Sequence, residues 1–236
     1  MRFIKIIFLF LVIILCSCSG KRLNKPFVSM TEYEPLALLT EYEPNFAQIL
    51  PQGWEAMMNP NDLSGWEPVR YAGEAQPIIK NGVLTLPTSI YSSMTGINIV
   101  NEHLFPVVDY AIYYEARRIE GEDIFGGLSF PYKNSYATLV IGGWGGRICG
   151  LSCIDGKCAL DNETTKFIDF ENDVWYSVCL RVTKDSIHAV LDDITIVQLA
   201  TAGRNIHLRG GTLAPSLTFF TFMSSGQFRN MRMKRL

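Results

Sequence analysis

Asp109-Tyr110-Ala111-Ile112-Tyr113-Tyr114-Glu115-Ala116-Arg117-Arg118-Ile119 is the stretch that decides the fold. Side chains along a strand alternate between its two faces. Ile112, Tyr114 and Ala116 therefore fall on one side, and Tyr113, Glu115 and Arg117 on the other. That is the signature of a strand with one face on a core and one face on something polar. From Gly53 onward no strong helical stripe runs longer than three turns. Short apolar or alternating runs recur instead: Val83 to Leu86, Phe125 to Phe130, Ala137 to Gly142, Val174 to Val182, Ile187 to Leu191, Ile194 to Leu199, Leu217 to Phe222 and Phe228 to Arg235. Turn signals separate them, including Asn81-Gly82 and Asp192-Asp193. Many short strands at close spacing predict an all-β chain, an antiparallel β-sandwich of jelly-roll type in a single domain. The one helical candidate is short, around Glu41 to Leu50.

The whole chain has 236 residues, 48% of them hydrophobic and 19% charged, which supports a packed core and excludes wholesale disorder. The formal charge is −2, from 21 Lys and Arg against 23 Asp and Glu. A nucleic-acid-binding domain usually carries a basic surplus, so that class is set aside.

The first residues are not part of the fold. Arg2 and Lys5 precede an apolar run from Ile6 to Leu15, too short to span a bilayer core of roughly 30 Å as a helix. The run fits the apolar segment of a secretory signal. Leu15-Cys16-Ser17-Cys18 then places a Leu three residues before Cys18 and a small residue directly before it, as in bacterial lipoprotein signals. Cys18 is the expected lipidation site; an ordinary cleaved signal is the alternative. The expected organisation is a lipoprotein signal over 1–17, a tether over 18–52 and the sandwich over 53–236. Loss of Arg2 and Lys5 changes the balance to 19 against 23, or −4. Ser19 differs from the Asp that resembles an inner-membrane retention signal, so in a diderm bacterium the outer membrane is the expected address. The tether carries Thr31-Glu32-Tyr33-Glu34-Pro35 and again Thr40-Glu41-Tyr42-Glu43-Pro44, two copies that read as an acidic spacer.

Four cysteines belong to the sandwich: Cys149, Cys153, Cys158 and Cys179. Export permits disulfides, and four thiols allow three pairings. Asp155-Gly156 is a two-residue hairpin turn that would make Ile154 and Lys157 the closing pair. Cys153 and Cys158 would come next, at the position where Cα atoms approach to about 4.5 Å, so a bridge between them is favoured. No spacing matches paired zinc ligands, and no metal or other cofactor is expected.

Trp54-Glu55-Ala56-Met57-Met58-Asn59-Pro60-Asn61-Asp62-Leu63-Ser64-Gly65-Trp66 resembles the opening of the 3-keto-disaccharide hydrolase domain family. Asn81 to Leu84, Tyr110 to Arg117, Trp175 to Asp193 and the closing Phe228-Arg229-Asn230-Met231-Arg232-Met233 continue the likeness over about residues 53 to 236. The segment from Phe125 to Gly146 resembles a lipoprotein-rich subgroup described as hydrolase-like. The resemblance implies a concanavalin-like or laminin-G-like jelly roll and action on glycosides oxidised at C3. Two features depart from the family pattern: Pro131 stands where members often carry an Arg, and Phe222 to Gly226 lacks the His that many have.

A ketone at C3 acidifies the C2 hydrogen, so a base can remove it while the C1 oxygen is expelled. The expected catalytic pair is Glu115 as base and Arg117 as enolate or sugar partner, with Tyr113 on the same face. The alternative is a charged pair on a solvated sheet. Gly142-Gly143-Trp144-Gly145-Gly146 lets backbone approach a ligand and displays one indole; a bulged strand end with a packing Trp is the alternative. Asn134, Ser135 and Arg147 are candidate sugar donors. Trp54, Trp66 and Trp175 are expected in the core, and His103, His188 and His207 are scattered. The paired-carboxylate strand of a jelly-roll β-glucanase is missing, since Glu171-Asn172-Asp173-Val174-Trp175-Tyr176 lacks a second Glu. Asn162-Glu163-Thr164 is a sequon without expected meaning in a bacterial lipoprotein. The expected protein is a lipid-anchored, extracytoplasmic hydrolase. A non-catalytic glycan-binding module and a structural envelope protein are the alternatives. Its expected partners are carbohydrate and, through the lipid, a membrane.

Overall fold

A computed structural model describes residues 52–68, 76–88, 91–95, 105–209 and 216–236. The lipidation site, the spacer repeats, the short helix and His103 lie outside these residues. The β-structure falls within the compact unit Asn45–Leu236.

The strands are β1 (Trp54–Ala56), β2 (Glu67–Pro68), β3 (Ile78–Lys80), β4 (Val83–Leu86), β5 (Tyr91–Thr95), β6 (Tyr110–Gly121), β7 (Gly127–Tyr132), β8 (Ser135–Gly142), β9 (Ile148–Ser152), β10 (Lys166–Phe167), β11 (Tyr176–Val182), β12 (Ser186–Leu191), β13 (Ile194–Ala200), β14 (Thr218–Phe222) and β15 (Ser224–Arg235). They form two antiparallel sheets, as expected. Sheet A has eight strands in the order β13-β12-β11-β6-β15-β4-β3, with β1 also on β15. Sheet B has seven, in the order β10-β9-β8-β7-β14-β5-β2. Neighbours such as β6 and β15 are far apart in sequence, the long-range pairing of a jelly roll rather than a meander.

The alternation in β6 works as the sequence predicts. Ile112, Tyr114 and Ala116 are fully buried with Leu84, Val178, Leu180 and Phe228 from neighbouring strands. Leu128, Phe130, Leu139 and Phe219 meet them from sheet B. Tyr114 stacks edge-on to Phe219 at 5.2 Å. Its hydroxyl donates to the Gly126 carbonyl at 2.8 Å, and the Tyr110 hydroxyl donates to the Pro131 carbonyl at 2.5 Å. These bonds join the two sheets and satisfy phenols that would otherwise be costly to bury.

The Asp155-Gly156 turn forms as expected, with both residues at positive φ and reciprocal bonds between Ile154 and Lys157. Beyond it, Cys153 and Cys158 are both present as thiols. The ladder ends at Ile154. Cys153 exchanges backbone bonds with His207 instead, and the Cys158 carbonyl accepts from the Asn162 amide. The two thiols still lie close together. The Cys158 pKa is pushed up by its own burial and, less strongly, by the charge and hydrogen bond of Cys153.

Candidate functional site: the outer face of sheet A

Glu115 and Arg117 project from the outer face of β6, but they do not pair with each other. Glu115 sits opposite Arg229 on β15, and Arg117 opposite Gln227. Cross-strand neighbours lie closer than residues two apart on one strand. Arg229 Nε donates to Glu115 Oε2 at 2.6 Å. Arg117 Nε donates to Gln227 Oε1 at 2.8 Å, and Gln227 in turn donates to Thr85.

A β-bulge completes the surroundings of Glu115. Arg229 pairs with Glu115 and Arg232 with Tyr113, so Asn230 and Met231 together oppose Tyr114. Asn230 takes φ 55, a left-handed conformation that Asn tolerates better than most residues. The extra residue sends Met231 to the core and leaves Asn230 beside Arg229. Asn230 Nδ2 then donates to Glu115 Oε1 at 2.7 Å, and the Tyr113 hydroxyl donates to the same oxygen at 3.1 Å. Both carboxylate oxygens are engaged, and Glu115 is only 7% exposed. Tyr113 stays protonated: burial first, then the Glu115 charge, hold its pKa far above the ordinary phenol value.

Two tryptophans expected in the core lie on this face instead. Trp175 carries the Arg229 guanidinium at 4.1 Å and that of Arg117 at 4.7 Å. The Arg232 guanidinium lies 4.3 Å from the Tyr113 ring and 5.6 Å from the Trp54 ring. Indole is apolar enough to suit a core, but its π-face also attracts cations. Only Trp66 behaves as expected, buried with its indole N–H on the Met57 carbonyl. The loop leading to Trp175 is fixed by Arg118. Its side chain donates to Asn172 and to the Phe170 carbonyl, and its own carbonyl accepts from the Asp173 N–H.

The face extends onto β11 and β12. Cys179 sits between Tyr113 and Val190, and Arg181 opposite His188. Burial lowers the His188 pKa and the Arg181 charge lowers it further, so the imidazole is neutral near pH 7. Burial raises the Cys179 pKa, while Arg232 and Arg181 pull the other way.

The remaining sequence-derived candidates are not gathered at this face. Asn134 and Trp144 flank the two ends of β8, roughly 25 Å apart for a strand of that length. Trp144, half-buried, packs against Val140, Ile148 and Ala159. Its N–H and that of Gly145 donate to the Asp123 carboxylate, which holds the left-handed turn. Gly146 leaves room for the Arg118 guanidinium, since a Cβ there would sit 2.7 Å from Nη1. The glycine run is thus accounted for by turn geometry and packing. Arg147 pairs with Asp169 at 2.6 Å on the surface. The sequon Asn162 is buried. Its amide donates to the Leu151, Lys157 and Cys158 carbonyls and its oxygen accepts from Thr164, so it is a structural hub.

Chemically, the face offers guanidinium and amide donors beside aromatic surface. Among the outward residues of β6 from Ala111 to Arg117, and of β11 and β15, Glu115 is the sole carboxylate. In sheet B the strand residues with charge are Glu67 and Lys166, both on edge strands. No single strand face carries the paired carboxylates of ordinary glycoside hydrolysis; the one other carboxylate placed near Glu115 by these contacts is that of Asp192, which comes from the β12–β13 turn and accepts from Ser177, the cross-strand neighbour of Glu115. Among the described residues no group of three or more His, Cys, Asp or Glu could hold a metal ion.

No protein-family model matches the sequence, and no curated protein does. Solved structures do match. A candidate glycosyl hydrolase from Parabacteroides distasonis superposes with a TM-score of 0.50 at 11% identity, over 78% of this chain and 94% of that one. The Crh5 transglycosylase in complex with NAG gives 0.54 at 6% identity, over 78% and 83%. At such identities the likeness is one of fold: the chain is a β-sandwich of the architecture found in carbohydrate-binding and glycoside-cleaving proteins.

Proposed function

We propose that this protein is a lipid-anchored component of the cell envelope whose sandwich binds carbohydrate on the outer face of sheet A. One observation carries the reading: planar guanidinium and amide groups of Arg117, Arg229, Asn230 and Gln227 are held in place beside Trp175, Tyr113 and Trp54. Sugars are bound by such pre-set donors to their hydroxyls and by aromatic surface against their C–H faces. The architecture shared with carbohydrate-active sandwiches supports the same class of ligand. The anchor rests on Leu15, Ser17 and Cys18: a Cys18→Ser change should leave the chain unlipidated, and a mature N-terminus other than acylated Cys18 contradicts it.

The second reading is cleavage of 3-keto glycosides. Glu115 would take the C2 proton, the C1–O bond would break to leave a C1–C2 double bond, and water would then add. Tyr113, a protonated phenol in contact with Glu115, favours it as a proton source for the leaving oxygen. Against it stands the engagement of both Glu115 oxygens, which leaves the base little freedom to accept. The test is binding and turnover of neutral glycosides and 3-keto-glucosides side by side. The binding reading expects sugar affinity without turnover; turnover abolished by Glu115→Gln establishes the enzyme, and absence of both overturns the two readings together.

A further inference from the structure

The outer face of sheet A carries a charge that the composition does not dictate. The chain as a whole is acidic, at −2. Yet Arg117, Arg181, Arg229, Arg232 and Lys234 all project outward from β6, β11 and β15, where Glu115 is the sole carboxylate. They form a contiguous patch by register: Arg229 and Arg117 border Trp175, Arg232 lies across from Tyr113, and Arg181 and Lys234 both face Ala111. Glu115 is bonded to Arg229 and Asp192 reaches the face at Ser177, yet the cations of these strands still outnumber the carboxylates that reach them.

Arg232 adds a buried cation to this patch. It is only 7% exposed, and its Nε has no hydrogen-bond partner. Among the described residues it makes no ion pair; its guanidinium lies against the Tyr113 and Trp54 rings. A buried guanidinium donor without an acceptor is costly. Burial depresses its pKa, against smaller opposing effects of Tyr113, Glu115 and Cys179. That Nε is closed to solvent, so a carboxylate or sulfate arriving from outside would act on Arg232 through its charge and would meet the patch directly at its exposed cations, Arg181 among them. Neutral sugar hydroxyls would gain less.

We propose that this face binds an acidic polysaccharide, one bearing carboxylate or sulfate groups, with Arg232 and Arg181 as the residues that select for negative charge. The proposal rests on the carbohydrate-binding reading and narrows its ligand. The spread from Arg181 to Arg117 across adjacent strands suits a chain that repeats its charge rather than a single anionic sugar.

The test uses the full chain in mild detergent, titrated with an oligogalacturonide and with a neutral oligoglucoside of equal length. At low ionic strength the acidic oligomer should bind at least about tenfold more tightly, and raising the salt should erase most of that difference. Arg232→Gln should remove much of the preference. Because Arg232 is buried, the exposed Arg181→Gln is the second variant. It should weaken the acidic oligomer roughly three- to tenfold and leave the neutral one unchanged. Equal affinity for both oligomers overturns this inference while leaving the carbohydrate reading standing; binding of neither overturns both. Phosphatidylglycerol vesicles form the third arm. If Arg181→Gln weakens vesicle binding as much as oligomer binding, the face is a membrane-docking surface and the inference fails.

Discussion

Glu115→Gln separates a structural role from a catalytic one. The substitution keeps shape but replaces one acceptor oxygen with an NH2 group. If the amide keeps its oxygen toward Asn230 and Tyr113, its nitrogen faces Arg229 Nε, donor against donor, where a 2.6 Å charge-assisted bond stood. Removing one partner of a fully buried ion pair costs roughly 3–5 kcal/mol. Here Glu115 and Arg229 retain 9% and 24% side-chain exposure, so water relieves part of that penalty. A loss of about 2–3 kcal/mol is expected, near the value of one hydrogen bond to a charged group. For a domain of this size that lowers Tm by roughly 4–12 °C. Urea denaturation of wild type, Glu115→Gln, Arg229→Met and the double variant measures it. The cycle should give a coupling of at least about 1 kcal/mol, since the two side chains are in direct contact. A stability loss under about 0.5 kcal/mol together with complete loss of turnover on a 3-keto glycoside would refute this reasoning and make Glu115 a base held for chemistry.

Asn162→Ala should cost about 2–4 kcal/mol, because it strips donors from the Leu151 and Cys158 carbonyls and the acceptor from Thr164 in a buried setting; a thermal melt unchanged within error contradicts the hub. Cys149, its pKa pushed up to about 12 by burial, should resist alkylation of the native protein at pH 8 while Cys158 reacts, and equal labelling of the two would contradict that burial. Mild oxidation should join Cys153 to Cys158; a bridge from either to Cys149 or Cys179 contradicts the hairpin.

The long strands were legible because each carries a period-two pattern over a contiguous run. β4, β6, β12 and β13 fall within a residue or two of the expected spans. The short strands β1, β2, β3 and β10 were not, because two or three residues hold no period, and pairing with a neighbour is what makes them strands. The site divides in the same way. That Tyr113, Glu115 and Arg117 share a polar face follows from alternation alone. That Glu115 answers to Arg229 rather than Arg117 depends on the β6–β15 register, which spans 114 residues of sequence. The bulge at Asn230 was visible only as an Asn in an otherwise strand-like run. Trp54 and Trp175 were misjudged because hydrophobicity favours a core, and the arginines that draw them outward come from other strands. The glycine run at Gly142 looked like a ligand loop, and its partner Asp123 lies some twenty residues upstream.

The central claim is that the outer face of sheet A is where carbohydrate binds. A crystal structure of the protein with a bound oligosaccharide tests it most directly. The sugar should lie across β6 and β15, within hydrogen-bond reach of Arg117 or Arg229 and beside Trp175 or Trp54. A sugar seated on sheet B or at Trp144, with these arginines untouched, would contradict it.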